Sequence, residues 1–464
     1  MEPQKSPRRA ADLPAEVWVQ VASFLSLQER LSLALVCKHL FHATRRSGAA
    51  LWESLSLVFS SAAVLRSFDA WRRRCECHPQ RLLLHHSSWQ DGEQEQPRWE
   101  EVVATVQPLL PSLQALTIRW EGEAVAGDWL CGATRLQDLG LFCGSLMLLD
   151  ALGSLTTLKE LSVEGSDGPL LVEPAALPAS LTKLLAVDSH MVEAPEALSR
   201  TTSLQSLYLS RNPLSPTSLS RLATLPRLEL LSLIGCWFSR PPVELSALTS
   251  LRALYLDYNG NLGDENENTM QDSFSAALGP LTNLEALGLS HNYLDSFPEV
   301  IGRLTRLKVL YLESNPGIAR LPAAAAGVLS RLQVLSCDAP VLFSNANMFA
   351  RAASRLQQLF VSGSGLMWHV AALASTERVL QVLAGMPALK KLSFVVQTQR
   401  EEAPSVEVAA LMLELPRRRP ALELEALDSE QFFGITLADL EAMAAEDERA
   451  AAAVAAAEGL GAGR

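Results

Sequence analysis

Two stretches hold residue types that bind metals. Cys75-Glu76-Cys77-His78, followed by His85-His86, offers the ligand set of a zinc site. Structural zinc spaces its paired cysteines by about two to four residues. Here a single residue separates Cys75 from Cys77, so the stretch reads as part of a solvated helix. Asp257-x-Asn259-x-Asn261 resembles the start of a calcium loop. Its glycine, Gly263, falls one place late, and Asn268 stands where a bidentate carboxylate is needed. No metal and no other cofactor is therefore expected. Catalytic chemistry fares no better: there is no G-x-S-x-G elbow, no phosphate loop and no H-E-x-x-H. No catalytic residue is nominated, and the chain is not expected to be an enzyme.

The totals narrow the partners. A net charge of −12 argues against nucleic acid, because duplex binding needs a positive face to displace counterions. Lys5-Arg8-Arg9 and Arg72-Arg73-Arg74 read as solvated faces. The seven cysteines, at 37, 75, 77, 131, 143, 236 and 337, are odd in number and show no disulfide framework. The first residues are polar and basic, without an apolar signal core. No run approaches the roughly 18 apolar residues of a membrane span. A reducing compartment is implied, cytoplasmic or nuclear.

The strongest signal is a repeat. Leu204-Leu207-Leu209-Asn212, Leu251-Leu254-Leu256-Asn259, Leu284-Leu287-Leu289-Asn292 and Leu307-Leu310-Leu312-Asn315 share the form L-x-x-L-x-L-x-x-N. Leu228-Leu231-Leu233-Cys236 has a cysteine in the last place. Weaker copies begin at Leu113, Leu136, Leu158, Leu181, Leu332, Leu356 and Leu389. The step is mostly 22 to 25 residues, with longer units after 251 and 356. The L-x-L core predicts a short strand with inward leucines. The asparagine can bond the backbone where the strand turns away. Stacking then buries the leucines as a ladder, in a leucine-rich-repeat solenoid with a parallel sheet on its concave face. Phe297-Pro298 and Leu321-Pro322 fall in return segments, where proline removes no ladder bond.

In each repeat the residue between the last two leucines should point out of the concave face. From Leu204 onward this row reads Tyr208, Ser232, Tyr255, Gly288, Tyr311, Ser336, Phe360. Aromatics alternate with small residues, which predicts shallow pockets above the small ones. Asp257 and Glu313 stand two residues beyond their tyrosines, and Tyr258 and His291 lie at the next position along. Two explanations stand: binding anchors for a protein substrate, or simple strand propensity.

Ahead of the repeats, Leu13-Pro14-Ala15-Glu16 opens a helix with proline in its first turn. Val17, Val21, Phe24 and Leu25 follow at helical spacing. A second helix over about 28–44 has two apolar faces: Leu31 and Leu35 on one, Leu33, Val36, Cys37 and Leu40 on the other. So short a segment cannot bury both faces alone and wants a partner.

Leu13-Pro14-x-Glu16-Val17, Phe24-Leu25, Leu35-Val36-Cys37-Lys38 and Leu51-Trp52 resemble the F-box signature in order and spacing. The sequence departs from it at Leu40, where an aromatic is usual, and by extra residues around 45–50. The resemblance covers nearly the whole chain, since leucine-rich repeats form the second half of one F-box family. It implies a substrate-recognition adaptor of a Skp–cullin–F-box ubiquitin ligase. Leu13, Pro14, Val17, Val21, Leu25, Leu33, Val36, Cys37, Leu51 and Trp52 would then carry binding to the Skp-type adaptor or the F-box's own packing. A cullin–RING ligase would join through that adaptor, and the repeats would hold a protein substrate, with neither nucleic acid nor membrane as a partner. Two rival readings are a leucine-rich-repeat scaffold outside any ligase and a receptor that needs a small molecule to complete its site.

The expected fold class is therefore α/β: a small helical F-box, then a leucine-rich-repeat solenoid. The expected layout is a disordered leader at 1–11, an F-box at 12–57, and a linker with a capping helix and a first irregular repeat at 58–112. The solenoid follows at 113–435 and an Ala/Glu-rich tail at 436–464. Leu65, Phe68 and Trp71 predict the capping helix, and Leu82 and Leu84 a first strand. The acidic insertion 261–272 is expected to protrude as a loop.

Overall fold

A computed structural model describes residues 53–75, 78–87, 97–165, 167–260, 262, 267–362, 372–396 and 414–428. The F-box residues Leu13 to Trp52, the leader at 1–11 and the tail at 436–464 lie outside the described residues. The chain divides into two compact units, residues 1–259 with 276–283, and residues 260–275 with 284–464.

In the first unit the strands are β1 (Ser54–Phe59), β2 (Arg81–His86), β3 (Ala115–Ala126), β4 (Asp138–Leu148), β5 (Glu160–Gly165), β6 (Leu171–Val172), β7 (Lys183–Ala186), β8 (Ser206–Tyr208), β9 (Leu230–Ser232) and β10 (Ala253–Tyr255). Each pairs in parallel with the next in chain order, except that β6 lies aside and pairs with β4. The second unit holds β11 (Ala286–Gly288), β12 (Val309–Tyr311), β13 (Val334–Asp338), β14 (Gln358–Ser362), β15 (Lys391–Val396) and β16 (Glu423–Asp428), again parallel and in chain order. This is the parallel sheet of a leucine-rich-repeat fold.

The core follows the repeat. The heading leucines, from Leu113 to Leu389, are all at most 1 % exposed. The L-x-L pairs behind them, such as Leu207 and Leu209 or Leu310 and Leu312, are buried too, at 3 % exposed or less. Each fully buried leucine stabilises the stack by about 1.5–3 kcal/mol, which no isolated repeat could collect.

The asparagine decides where a strand ends. Asn212, fully buried, accepts the backbone N–H groups of Ser189 and Met191 at 3.0 Å and donates to the carbonyls of Ala186 and Leu209. Asn259 and Asn315 repeat the pattern on Cys236 and Phe238, and on Asn292 and Leu294. In these repeats the strands are three residues long. The repeats from Leu113 and Leu136 lack the asparagine, and β3 and β4 run on for 12 and 11 residues. Cys236 takes the asparagine's place with a thiol that donates to the Leu209 carbonyl at 3.4 Å.

Two expectations are corrected. The sheet begins earlier than Leu82: β1 precedes β2 and pairs with it, burying Leu55, Leu57 and Phe59. Its alternation was hidden next to the helical segment. Leu65 and Phe68 do lie buried on a helix, α1 (Ala62–Cys75), between the two strands. The insertion is also not simply a protruding loop. From Glu267 it is a helix, α2 (Glu267–Leu278), with Met270 and Phe274 buried. Gln271 of this helix donates to the Phe297 carbonyl and accepts the Glu299 N–H, closing the return segment after Pro298.

Candidate interaction surface

The row of residues between the inward leucines is in register, as expected. In the first unit Tyr208, Ser232 and Tyr255 are neighbours across β8, β9 and β10. In the second, Gly288, Tyr311, Ser336, Phe360 and Ser393 are neighbours across β11 to β15. The predicted pockets above the small residues are absent. Ser232 and Ser336 are 0 % exposed, and Gly288 is buried. Beside them the rings are half-buried at Tyr255, Tyr311 and Phe360, and Tyr208 is closed. Below Ser232 its hydroxyl bonds that of Ser210 at 2.8 Å.

The carboxylates named with the tyrosines are also drawn in: Asp257 and Glu313 are buried. His291 is half-buried, and burial pushes its imidazole down to about 4. Tyr258 alone of the eight named residues is exposed, at 41 %.

Charge lies on the first unit's sheet face, on the N-terminal side of Tyr208. Arg119 sits 5.0 Å over the ring of Phe142 on the next strand. Phe142 neighbours Glu164, whose carboxyl is raised by burial and by Asp188, against the pull of Arg119 and Arg211. Lys183 lies 5.9 Å from the Tyr208 ring and 3.9 Å from Glu160.

The loops that leave the strands show a second row. Asp188, Arg211, Tyr258, His291 and Ser314 all have φ between 50° and 58°, and Gly235 has φ 65°. Each stands one place before a buried ladder position, Ser189, Asn212, Asn259, Asn292, Asn315 and Cys236 respectively. Left-handed backbone turns the chain off the strand so that the ladder side chain can face inward. For a residue with a Cβ it costs roughly 1–2 kcal/mol. One place after the ladder position, His190, Trp237 and Tyr293 are left-handed too. Trp237 is 77 % exposed. The concave-face reading missed Trp237 and Arg211. The signal was legible: the place after the ladder residue holds His190, Pro213, Gly260, Tyr293 and Pro316 in other repeats, and Trp237 is the bulkiest side chain of that column and its most exposed large apolar one.

Among the described residues no three His, Cys, Asp or Glu side chains are grouped to hold a metal ion, and no helix is long and apolar enough to cross a membrane. Asn259, the centre of the calcium-like motif, has both ends of its amide engaged in the ladder.

The F-box-like family matches residues 10–58, and the Leucine Rich Repeat family matches residues 203–225. No curated protein matches the chain. Among solved structures, a leucine-rich-repeat protein of Leptospira interrogans is similar over 88 % of this chain and 97 % of its own, at 16 % identity and a TM-score of 0.44. An internalin of Listeria monocytogenes is similar over 69 % of this chain and 88 % of its own, at 16 % identity and a TM-score of 0.41. Both matched families are interaction modules, typically without catalytic activity of their own. With the F-box-like match at residues 10–58 and the buried leucine ladder behind it, the chain is an F-box protein with a leucine-rich-repeat body.

Proposed function

We propose that this protein is the substrate-recognition adaptor of a Skp–cullin–F-box ubiquitin ligase. The F-box docks on a Skp-type adaptor, the repeats capture a protein substrate, and the chemistry stays on other subunits. The mechanism is proximity: holding a substrate lysine near the ligase centre replaces a bimolecular encounter by a local one. The cytoplasm or the nucleus is its place of action.

One observation carries this reading. The F-box-like match ends at residue 58, inside strand β1 (Ser54–Phe59). No linker in the sequence separates the docking module from the repeat sheet. The docking module and the repeat sheet are therefore contiguous in the sequence, as an adaptor that joins a ligase to a substrate requires.

The test is a triple variant, Leu13→Ala, Val36→Ala and Trp52→Ala. Each side chain lost from an interface removes about 1.5–3 kcal/mol. Co-purification with the Skp-type adaptor should disappear while the repeats stay folded. Undiminished adaptor binding by the triple variant overturns the ligase reading and leaves a leucine-rich-repeat scaffold. Substrate capture that appears only when a small molecule is added would instead favour the receptor reading.

A further inference from the structure

Trp237 has the most exposed large apolar side chain among the described residues. Its backbone is left-handed, at φ 61°, a conformation that bulky side chains avoid. Its indole stacks on no other ring among the described residues. The side chain therefore strains the backbone and gains almost no burial within this chain. Glycine would serve the fold there, as Gly260 does at φ 78° in the next repeat. Contact with something outside the chain accounts for a tryptophan.

The ground beside it is shaped. Gly235 stands between Arg211 and Tyr258, which hold the same place in the flanking repeats. A Cβ added at Gly235 would meet Arg211 Cγ at 3.6 Å, and otherwise only backbone at 4.0 Å. Neighbouring strands lie about 4.8 Å apart, so Arg211 and Tyr258 stand roughly 10 Å apart across this notch. That width admits one side chain of a partner. Arg211 is exposed and forms no ion pair within 4 Å among the described residues, its charge meeting only the more distant carboxyl of Glu164.

We propose that this edge of the first unit, made by Arg211, Gly235, Trp237 and Tyr258, binds an extended segment of a protein partner that presents an apolar or proline residue beside a carboxylate. The inference rests on reading the repeats as the protein-capturing module, and it names the surface and the chemistry. The two exposed rings select an apolar or proline side chain. Arg211 selects a carboxylate and repels a cation that would otherwise stack on the rings. An extended chain advances about 3.3 Å per residue, so two repeat steps span about three residues. The apolar and acidic residues of the partner thus fall within about three positions of each other.

The test uses the full chain and a displayed library of random dodecapeptides, followed by affinity measurements on the selected peptides. Enriched peptides should carry an apolar or proline residue within about three positions of Asp or Glu. Trp237→Ser should weaken them at least about tenfold. Arg211→Glu should weaken them too, and binding should return when the peptide's acid is replaced by lysine. Trp237→Gly should lose the peptides without lowering the melting temperature, since glycine relieves the left-handed backbone. The proposal is overturned if no such pattern is enriched, if Trp237→Ser binds as wild type does, or if Trp237→Gly melts well below it. Adaptor co-purification is measured on the same proteins. Loss of the peptide pattern with adaptor binding intact sinks only this surface, whereas peptide capture without adaptor binding sinks only the ligase reading.

Discussion

The carboxylate of Asp338 holds Asn315 from the following repeat: it accepts the backbone N–H of Asn315 at 2.9 Å and that of Ser314 at 2.8 Å. Asn315 in turn accepts the N–H groups of Asn292 and Leu294. The ladder is thus continued by an aspartate placed at the end of β13, in a repeat that has no asparagine in the usual position.

Removing a rung should be costly. Asn315→Ala leaves the N–H groups of Asn292 and Leu294 and the carbonyls of Leu289 and Leu312 without this partner. Each buried group left unmade costs about 1–3 kcal/mol, so a loss of about 3 kcal/mol or more is expected. Asp338→Asn keeps one acceptor oxygen and should cost less, about 1–2 kcal/mol. Urea unfolding of the two variants checks the order; a reversed order would mean that the aspartate, not the asparagine, bears the turn.

The insertion is expected to be structural in its second half. Phe274 is 0 % exposed, so Phe274→Ala should cost about 3–5 kcal/mol. Deletion of 261–272 removes Met270 and Gln271 and should lower the melting temperature clearly. A deletion mutant that melts as wild type does would return the segment to the status of a free loop.

How far the sequence speaks depends on period. The leucine ladder was legible because its period and its asparagines are repeated, and every heading leucine is where the pattern put it. Strand β1 was not, because Leu55, Leu57 and Phe59 form a single short alternation beside a helical segment. Helix α2 was not, because the acidic run at 264–267 masks Met270 and Phe274, whose i, i+4 spacing is the helical signal. The closed state of Ser232 and Ser336 could not be read at all: period and side tell which way a residue points, not whether its neighbours' rings leave room.

The cysteines should differ sharply in reactivity. Burial pushes the Cys143 and Cys236 thiols up to about 12 and that of Cys337 well above its ordinary value, while Cys131 is exposed. The thiolate is the reactive form. Brief alkylation of the native protein near neutral pH, mapped by mass spectrometry, should therefore mark Cys131 long before those three. Early labelling of Cys236 would show that its repeat opens readily.

The half-buried rings of the sheet face invite a direct comparison. Tyr255→Ser with Tyr311→Ser should lower stability by about 1 kcal/mol or less per site if strand propensity is their whole role. If they anchor substrate, capture is lost as well, with adaptor binding kept. A pull-down and a melting curve on the double variant separate the two outcomes.

His291 gives the fold a pH dependence. Burial pushes its imidazole down to about 4, so in the native protein it is neutral at neutral pH. In the unfolded chain it titrates near 6.5. As pH falls below about 6.5 the unfolded chain takes up the proton first, which favours unfolding; the loss continues until the native imidazole also protonates near 4. A shift of this size corresponds to at most about 3 kcal/mol, less where solvent reaches the half-buried ring. His291→Asn removes the titration while tolerating the left-handed backbone at φ 56°. Urea midpoints measured at several pH values between about 7 and 4 should therefore fall more steeply for wild type than for the asparagine variant. Parallel curves would mean that the imidazole is already free to protonate in the native protein, and that its burial costs the charged form nothing.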